Sequence, residues 1–179
     1  MKTKTIKLYE YSELEPKAKE KALAHYRAND FDDYGLRVYL DSEIEHLLAK
    51  HGITPIGDLK GYDSKYAKIY YSLGYCQGDG VMFEGKFTWG DYIVEVKHQG
   101  HYYHSYSKSV EMHKEIDGRE IEPSEDEEKE FEETYQNICK ELEKSGYAYI
   151  EDVQSEEYFI EECNANDWTF RENGTMENL

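Results

Sequence analysis

The stretch "YCQGDGVMFEG", residues 75–85, carries the sharpest local signal for chemistry, because two glycines flank an aspartate between aromatic and β-branched segments. A phosphate-binding loop needs several converging backbone N–H groups, usually where a helix begins, and often a lysine. Here Gly80 leads into a predicted strand, and the carboxylate of Asp79 would repel an anion. The pattern therefore favours a turn over a phosphate site.

The histidines His98, His101 and His104 could supply metal ligands or, together with Asp79, the acid/base pair of a small metal-dependent hydrolase. On a strand, a spacing of three places neighbouring side chains on opposite faces, so His101 does not easily join the other two unless Gly100 turns the chain. No nucleophile motif or paired-carboxylate signature accompanies them. We therefore expect no catalytic residue, metal or cofactor, and the hydrolase stays as an alternative.

A calcium loop is a second metal candidate, since Asp30, Asp32, Gly35 and Asp41 fall at positions one, three, six and twelve of an EF-hand. An aromatic residue occupies one ligand position, and Asp41 replaces the bidentate glutamate of that motif. We expect this segment to connect two helices.

The net charge of −18 is unevenly distributed along the 179 residues. Through residue 110 there are 15 Lys+Arg and 16 Asp+Glu, whereas from residue 111 onward there are 6 and 23. Such asymmetry bears on partners rather than on the fold. A concentrated anionic surface attracts proteins that grip DNA or RNA and repels nucleic acid itself, so we expect no direct nucleic-acid binding.

The acidic run at the start of a predicted helix supplies the candidate contacts. These carboxylates are Glu125, Asp126, Glu127, Glu128, Glu130, Glu132 and Glu133. B-DNA carries one charge per ~1.7 Å, so a 22-residue helix about 33 Å long matches a span with roughly 19 phosphates. The helix 124–145 has 9 acidic and 3 basic residues. Imitation of a duplex therefore requires the acids after residue 110 to converge on one face; a solvated helix face is the alternative.

Cysteines and hydropathy indicate the compartment. Cys76, Cys139 and Cys163 are odd in number and lack metal-like or redox-like spacing, which predicts reduced thiols. No run approaches the ~18 apolar residues of a membrane span, and the N-terminus lacks the apolar stretch of a signal peptide. We expect a soluble protein in the host cytoplasm with no membrane partner.

The first half of the chain predicts a strand over 3–11, a helix from Glu15-Pro16, and a helix over 33–51 that ends before Gly52. The first helix packs through Ala18, Ala22 and Tyr26. The second helix has a fuller apolar face, made by Leu36, Leu40, Ile44, Leu47 and Leu48.

Two strands should flank Gly78-Asp79-Gly80, with their odd-numbered residues on one face. A three-residue loop would place Tyr75 opposite Phe83 and Tyr71 opposite Phe87, with the last glycine of the loop in the left-handed conformation. Further strands are predicted over 91–98 and 101–113.

The capping-box spacing of Ser124 and Glu127 predicts a helix to about residue 145, which Gly146 ends or bends. The segment "SEEYFIEECNAND" predicts a short last helix, and "WTFRENG" a final strand with an Asn-Gly turn. The chain is therefore an α+β protein with a mainly antiparallel sheet backed by helices. We expect a single domain over 1–179, with a charge-balanced core over 1–113 and an acidic helical part over 114–179.

Four segments resemble a family of small acidic proteins from phages, prophages and other mobile elements, some of them labelled antitoxin-like. The segments are "YSELEPKAKEKALAHYR", "SLGYCQGDGVMFEG", "GHYYHSYSKSV" and "ANDWTFRENG". The resemblance covers most of the chain, and the length, acidity and phage context also look like those of an anti-CRISPR protein that inhibits a Cas9-type effector. It supplies no catalytic residues, and it marks Gln77 and Asp79 as either a turn or a contact surface.

These observations predict a non-enzymatic, phage-type inhibitor that binds a basic nucleic-acid-binding cleft of a host protein, with a Cas9-type nuclease as the first candidate. An antitoxin-like partner of a small basic toxin is the alternative binding function. The sequence leaves the partner's identity, the stage of inhibition and the oligomeric state open.

Overall fold

A computed structural model describes residues 6–29, 33–57 and 66–177. These residues form four α-helices and a six-stranded, antiparallel sheet with an additional two-stranded sheet, so the predicted α+β class is confirmed. Contacts divide the chain into two compact units. We call Met1–Asp33 with Tyr149–Leu179 the terminal unit, and Tyr34–Ala148 the central unit.

The terminal unit contains α1 (Pro16–Asn29), α4 (Glu156–Ala165) and the paired strands β7 (Thr169–Phe170) and β8 (Met176–Glu177). Ser155 caps α4 by accepting a hydrogen bond from the Tyr158 N–H. The predicted Asn-Gly turn forms with Gly174 at φ +79°, where glycine has no Cβ penalty. The predictions of α1, the last helix and the final strand are confirmed.

The core of the terminal unit consists mainly of aromatic side chains and small residues. Its buried residues are Tyr11, Leu14, Ala18, Ala22, Tyr26, Phe159, Cys163 and Phe170. The predicted packing stripe of α1 is therefore confirmed.

The strand predicted over 3–11 is wrong in the part that the structure describes. Only Tyr9 bridges to Phe170, and Tyr11–Glu13 form a 3-10 turn. Tyr11 and Leu14 are both buried, and a spacing of three reaches one core from a turn but not from a strand.

The central unit contains α2 (Asp33–Lys50) apart from its first residue, and most of α3 (Glu125–Val153). The predicted apolar face of α2 is buried throughout, and Gly52 follows its end at φ +67°. Gly35 and Asp41 lie inside α2, so they do not form a calcium loop; Asp30 and Asp32 lie outside the described residues.

The six strands of the central sheet are β1 (Ile53–Pro55), β2 (Lys68–Ser72), β3 (Gly80–Trp89), β4 (Tyr92–His98), β5 (Lys108–Ile116) and β6 (Arg119–Ile121). Their order is β1-β3-β4-β5-β6, and β2 also pairs with β3. The side chains of α3 pack on one face of this sheet, where the ring of Phe131 lies 5.5 Å from that of Trp89. The sheet and α3 together position the acidic residues.

The predicted register between β2 and β3 is wrong, although its parity is right. Ile69 pairs with Phe83 and Tyr71 with Val81, so odd residues face odd residues but are shifted along the strand. The connection is the seven-residue loop 73–79 rather than three residues. Its left-handed residue is Tyr75, at φ 56°, and not a glycine. The longer loop is closed by bonds to the Asp79 side chain, which the period of the strands does not encode.

Two further boundaries differ from the predictions. The strand expected over 101–113 starts only at Lys108, because residues 100–107 form a loop closed by the hydrogen bond from the Gln99 N–H to the Ser107 carbonyl. The helix expected to end near 145 continues to Val153. Gly146 does not stop the helix; a Cβ there would lie 2.5 Å from Leu73, so the glycine permits close packing.

Candidate functional site

The seven acidic candidates all lie on the first turns of α3. The capping box forms as predicted, since the Ser124 N–H donates to Glu127 Oε2 at 2.8 Å and Ser124 Oγ accepts from the Glu127 N–H. Acidic side chains in the first turn also face the positive end of the helix dipole. The sequence therefore places carboxylates here partly for helix stability, whatever their role in binding.

Three of the seven carboxylates are paired with cations. Lys108 is buried, with a side chain only 4% exposed, and its Nζ lies 2.8 Å from Glu132. Glu127 lies 3.6 Å from Lys114 Nζ. Glu133 forms a loose, exposed pair with Lys129 at 3.9 Å. Glu127 and Glu132 thus tie α3 to β5 and contribute little free negative charge.

The bonds at Glu127 also change its acidity. The Ser124 hydroxyl is the main cause, and with Tyr92 and Lys114 it lowers the pKa of Glu127 to about 2. The carboxylate consequently stays ionised well into the acid range, which suits a structural anchor.

The other four candidates are Glu125, Asp126, Glu128 and Glu130, all exposed. None of them forms an ion pair with a lysine, arginine or histidine in the described ranges. The adjoining β5–β6 hairpin adds exposed acids that the sequence reasoning did not single out, and Glu115 stands directly opposite Glu120. Facing like charges destabilise a strand pair. From residue 111 to 133 there are 12 acidic and 3 basic residues, so this region is strongly anionic.

A groove of about 420 Å³ lies between β5 and the first turns of α3. Its apolar lining comes from Val110, Met112 and Phe131, and its charged lining from Glu125, Glu128, Lys129 and Glu132. Val110 and Met112 are half-buried, unlike the fully buried Val94 and Val96 of the neighbouring strand. In the sequence, the groove could have been indicated only by the alternating apolar residues of β5 followed by the acidic start of a helix.

Asp79 lies elsewhere on the central unit, inside the 73–79 loop. Its carboxylate accepts hydrogen bonds from the Cys76 N–H at 2.9 Å, from Ser72 Oγ at 3.2 Å and from the Tyr147 hydroxyl at 2.5 Å. The Tyr147 bond is the main reason that the pKa of Asp79 lies well below its usual range. Burial, reinforced by Asp79, raises the pKa of Tyr147 to about 12.

Asp79 and the acidic start of α3 are not brought together. Tyr147 follows Glu130 on the same helix at a distance of about 25 Å along its axis, from a rise of ~1.5 Å per residue. Gln77 is exposed on the loop that Asp79 closes. Because the carboxylate of Asp79 is occupied within the loop, its geometry is that of a loop anchor, and a contact role for Gln77 stays a prediction.

The histidine segment approaches Gly80, the first residue of β3, and forms no metal cluster in the described residues. A Cβ at Gly80 would lie 2.8 Å from His104 Nδ1, so the two motifs meet at this glycine. His98 stacks on Tyr70 with ring centroids 4.6 Å apart and bonds to the Tyr102 carbonyl. Within residues 6–29, 33–57 and 66–177 no group of three His, Cys, Asp or Glu residues could hold a metal ion.

The three cysteines are free thiols in different surroundings. Cys76 is exposed, whereas Cys139 and Cys163 are buried. Burial raises the pKa of Cys139 to about 12 and that of Cys163 to about 11. The two buried thiols are therefore poor nucleophiles at neutral pH.

Among the described helices, none combines the length and the apolar character needed to cross a membrane.

Comparisons with known proteins assign no role to these features. No protein-family model, curated protein or solved structure matches the chain. The resemblance to small phage and mobile-element proteins, carried by QGDG and GHYYHS, accordingly stays a prediction.

Proposed function

We propose that this protein is a non-enzymatic inhibitor that binds the basic, nucleic-acid-binding cleft of a host protein through the start of α3 and the β5–β6 hairpin. A Cas9-type nuclease is the first candidate partner. The observation that carries the proposal is the group of four exposed carboxylates without ion pairs, Glu125, Asp126, Glu128 and Glu130.

Charge density supports imitation of a nucleic acid over a short span. Residues 125–133 cover about 12 Å of helix axis and carry seven carboxylates, and a duplex carries about 7 phosphates over that length. Lys108, Lys114 and Lys129 neutralise part of this charge. The acidic residues of the β5–β6 hairpin, including Glu115 and Glu120, add further negative charge to this region. The resulting surface suits one arginine- and lysine-lined patch rather than a long duplex-binding channel.

The proposed surface lies entirely in the central unit, because the acidic residues after residue 110 are divided between the two units. By sequence count, 14 of the 23 lie in the central unit and 9 in the terminal unit. Convergence of all 23 acids on one face is therefore not needed for this surface.

The test measures binding to a purified Cas9-type nuclease and inhibition of its DNA cleavage, at low and at high salt. Neutralising the four free carboxylates with Glu125→Gln, Asp126→Asn, Glu128→Gln and Glu130→Gln should weaken binding by more than tenfold, as removal of about 0.5 kcal/mol or more per charge pair predicts. Affinity of the unchanged protein should fall as salt rises.

The matched control removes the same number of charges from exposed sites in the terminal unit. These are Glu20→Gln, Glu151→Gln, Glu157→Gln and Glu161→Gln. The control should bind as the unchanged protein does. Equal inhibition by both quadruple variants, or affinity that ignores salt, would remove the electrostatic mechanism.

A further inference from the structure

The strand β5 has an edge that no strand in the described ranges covers between Lys108 and His113. In an antiparallel pair, alternate residues direct their N–H and C=O groups to opposite edges. The Gln99 N–H donates to the Ser107 carbonyl at 2.8 Å, and the β4–β5 register continues this alternation. The backbone groups of Val110 and Met112 therefore point away from β4. They form no hydrogen bond with any group of the described residues.

The sequence explains why β6 leaves this edge open. β6 pairs with β5 only from Lys114↔Ile121 to Ile116↔Arg119. The next bonded position along the ladder would place Pro123 opposite Met112, and proline has no N–H to donate. Ser124 then caps α3, so the chain turns away into the helix.

The open edge borders the groove described above. Val110 and Met112 contribute both the unpaired backbone groups and part of the apolar lining. Glu125 and Glu128 line the same groove and form no ion pair with a described cation. Glu132 also lines it but is held by Lys108 and Gln136. Backbone donors and acceptors, apolar contact and free negative charge thus coincide over a few residues.

We propose that an extended, lysine- or arginine-bearing segment of the partner protein adds to β5 as a further strand at Val110 and Met112. Its backbone bonds to the open edge, its alternate basic side chains reach Glu125 and Glu128, and their aliphatic stems cover the apolar lining. This inference rests on the proposed function, because it takes the partner to be cationic.

Charge complementarity selects this occupant over a second copy of the chain. An edge-to-edge dimer would bring Glu125 and Glu128 close to their own symmetry mates, and like charges at short range oppose association. A basic segment instead gains both the main-chain bonds and the ion pairs. The exposed Lys129 at the rim is long and flexible enough to turn away into solvent.

The experiment titrates the full chain with a fluorescent peptide of alternating lysine and valine. The expected result is binding with chemical-shift changes at the Val110 and Met112 amides in the ¹⁵N spectrum. A peptide of the same sequence that is N-methylated at its central amides keeps its charge but loses its donors, and should bind about tenfold more weakly or worse. Equal binding of the two peptides, or unchanged Val110 and Met112 signals, overturns the proposal.

Variants separate this inference from the proposed function. Glu125→Gln with Glu128→Gln should weaken the lysine–valine peptide about tenfold, whereas Glu157→Gln with Glu161→Gln should not. Peptide binding at the edge without nuclease inhibition would support the strand addition and contradict the proposed function. Carboxylate-dependent inhibition that a large excess of the unmethylated lysine–valine peptide does not relieve would contradict the strand addition and leave the proposed function standing. Concentration-dependent dimers that block the peptide would assign the edge to a second copy and overturn the proposal.

Discussion

At the scale of single residues, the Tyr135 hydroxyl replaces a missing strand partner. It donates to the Phe83 carbonyl at 2.8 Å and accepts from the Phe83 N–H at 3.1 Å, while the ring is completely buried. Burial raises the pKa of Tyr135 far above its usual value, so the group stays neutral. One side chain thus satisfies a donor and an acceptor on the edge of β3 and fixes α3 to the sheet.

Replacing Tyr135 by phenylalanine should therefore destabilise the protein. The change leaves a buried N–H and a buried C=O unpaired, at a cost of about 2–4 kcal/mol. Urea unfolding followed by circular dichroism measures it. The control is Tyr106→Phe, because the Tyr106 ring is 73% exposed and its hydroxyl bonds to Gln136 at 3.3 Å, so it should shift stability by less than about 0.5 kcal/mol. Similar losses in both variants would contradict this account.

The bond between Tyr147 and Asp79 predicts a pH dependence. The pKa of Asp79 in the folded chain lies below that of an unfolded aspartate, about 3.9, so its ionised form stabilises the fold above that pH. This contribution is lost as the pH falls through the folded pKa. Tyr147→Phe should lower the melting temperature by a few degrees at neutral pH, and the difference from the unchanged protein should shrink below about pH 4. A difference that is constant down to strongly acidic pH would argue for lost packing instead.

At the scale of elements, α3 performs two tasks at different points along its length. Its first turns carry the free carboxylates beside β5, and its later turns hold the 73–79 loop through Tyr147 and Gly146. Identical residue types consequently have different roles: Glu127 and Glu132 anchor the helix, whereas Glu125 and Glu128 remain free. The distinction comes from which lysines the sheet presents to each helix face.

Gly146 gives the sharpest test at this scale. Alanine is worth about 1 kcal/mol over glycine inside a helix, but its Cβ would meet Leu73 at 2.5 Å, and such overpacking costs about 1–3 kcal/mol. We expect Gly146→Ala to be neutral or destabilising by up to about 2 kcal/mol. In a Leu73→Ala background the clash is gone, and the same change should stabilise by about 1 kcal/mol. Chemical unfolding of the four proteins in this cycle measures the coupling, and additivity would show that the close approach has no energetic consequence.

At the scale of the whole molecule, the excess of negative charge opposes folding. The chain has a net charge of −18, and by sequence count it is shared between the central unit at −10 and the terminal unit at −8. The division of charge at residue 110 is therefore a property of the sequence order and is not reproduced by the contacts. The predicted single domain with boundaries at 113 and 114 stays a prediction.

Screening this charge should raise stability. Adding sodium chloride from low to physiological ionic strength shortens the Debye length to about 8 Å, which weakens like-charge repulsion more than buried pairs such as Lys108–Glu132. We expect the melting temperature to rise by several degrees, equally with potassium chloride. The variant with Gln or Asn at 125, 126, 128 and 130 should show a smaller rise. A melting temperature that falls with salt would mean that surface ion pairs outweigh the repulsion.

By itself, the sequence determined the features that depend on neighbours along the chain. The apolar periods located α1, α2, the packing face of α3 and the strand β4, and local hydrogen-bonding residues set the Ser124 capping box and the Asn-Gly turn. These signals are reliable because their partners lie within about four residues.

Only the tertiary structure decided the β2–β3 register, the start of β5 and the separation of Asp79 from the acidic surface. The parity of the strands was predictable, but their offset was not, because Tyr147 on a distant helix closes the 73–79 loop. The same holds for the carboxylates of α3. Which of them are free depends on the lysines of β5, which lie elsewhere in the sequence. The spacing of residues along the chain does not show which lysine forms an ion pair with which carboxylate.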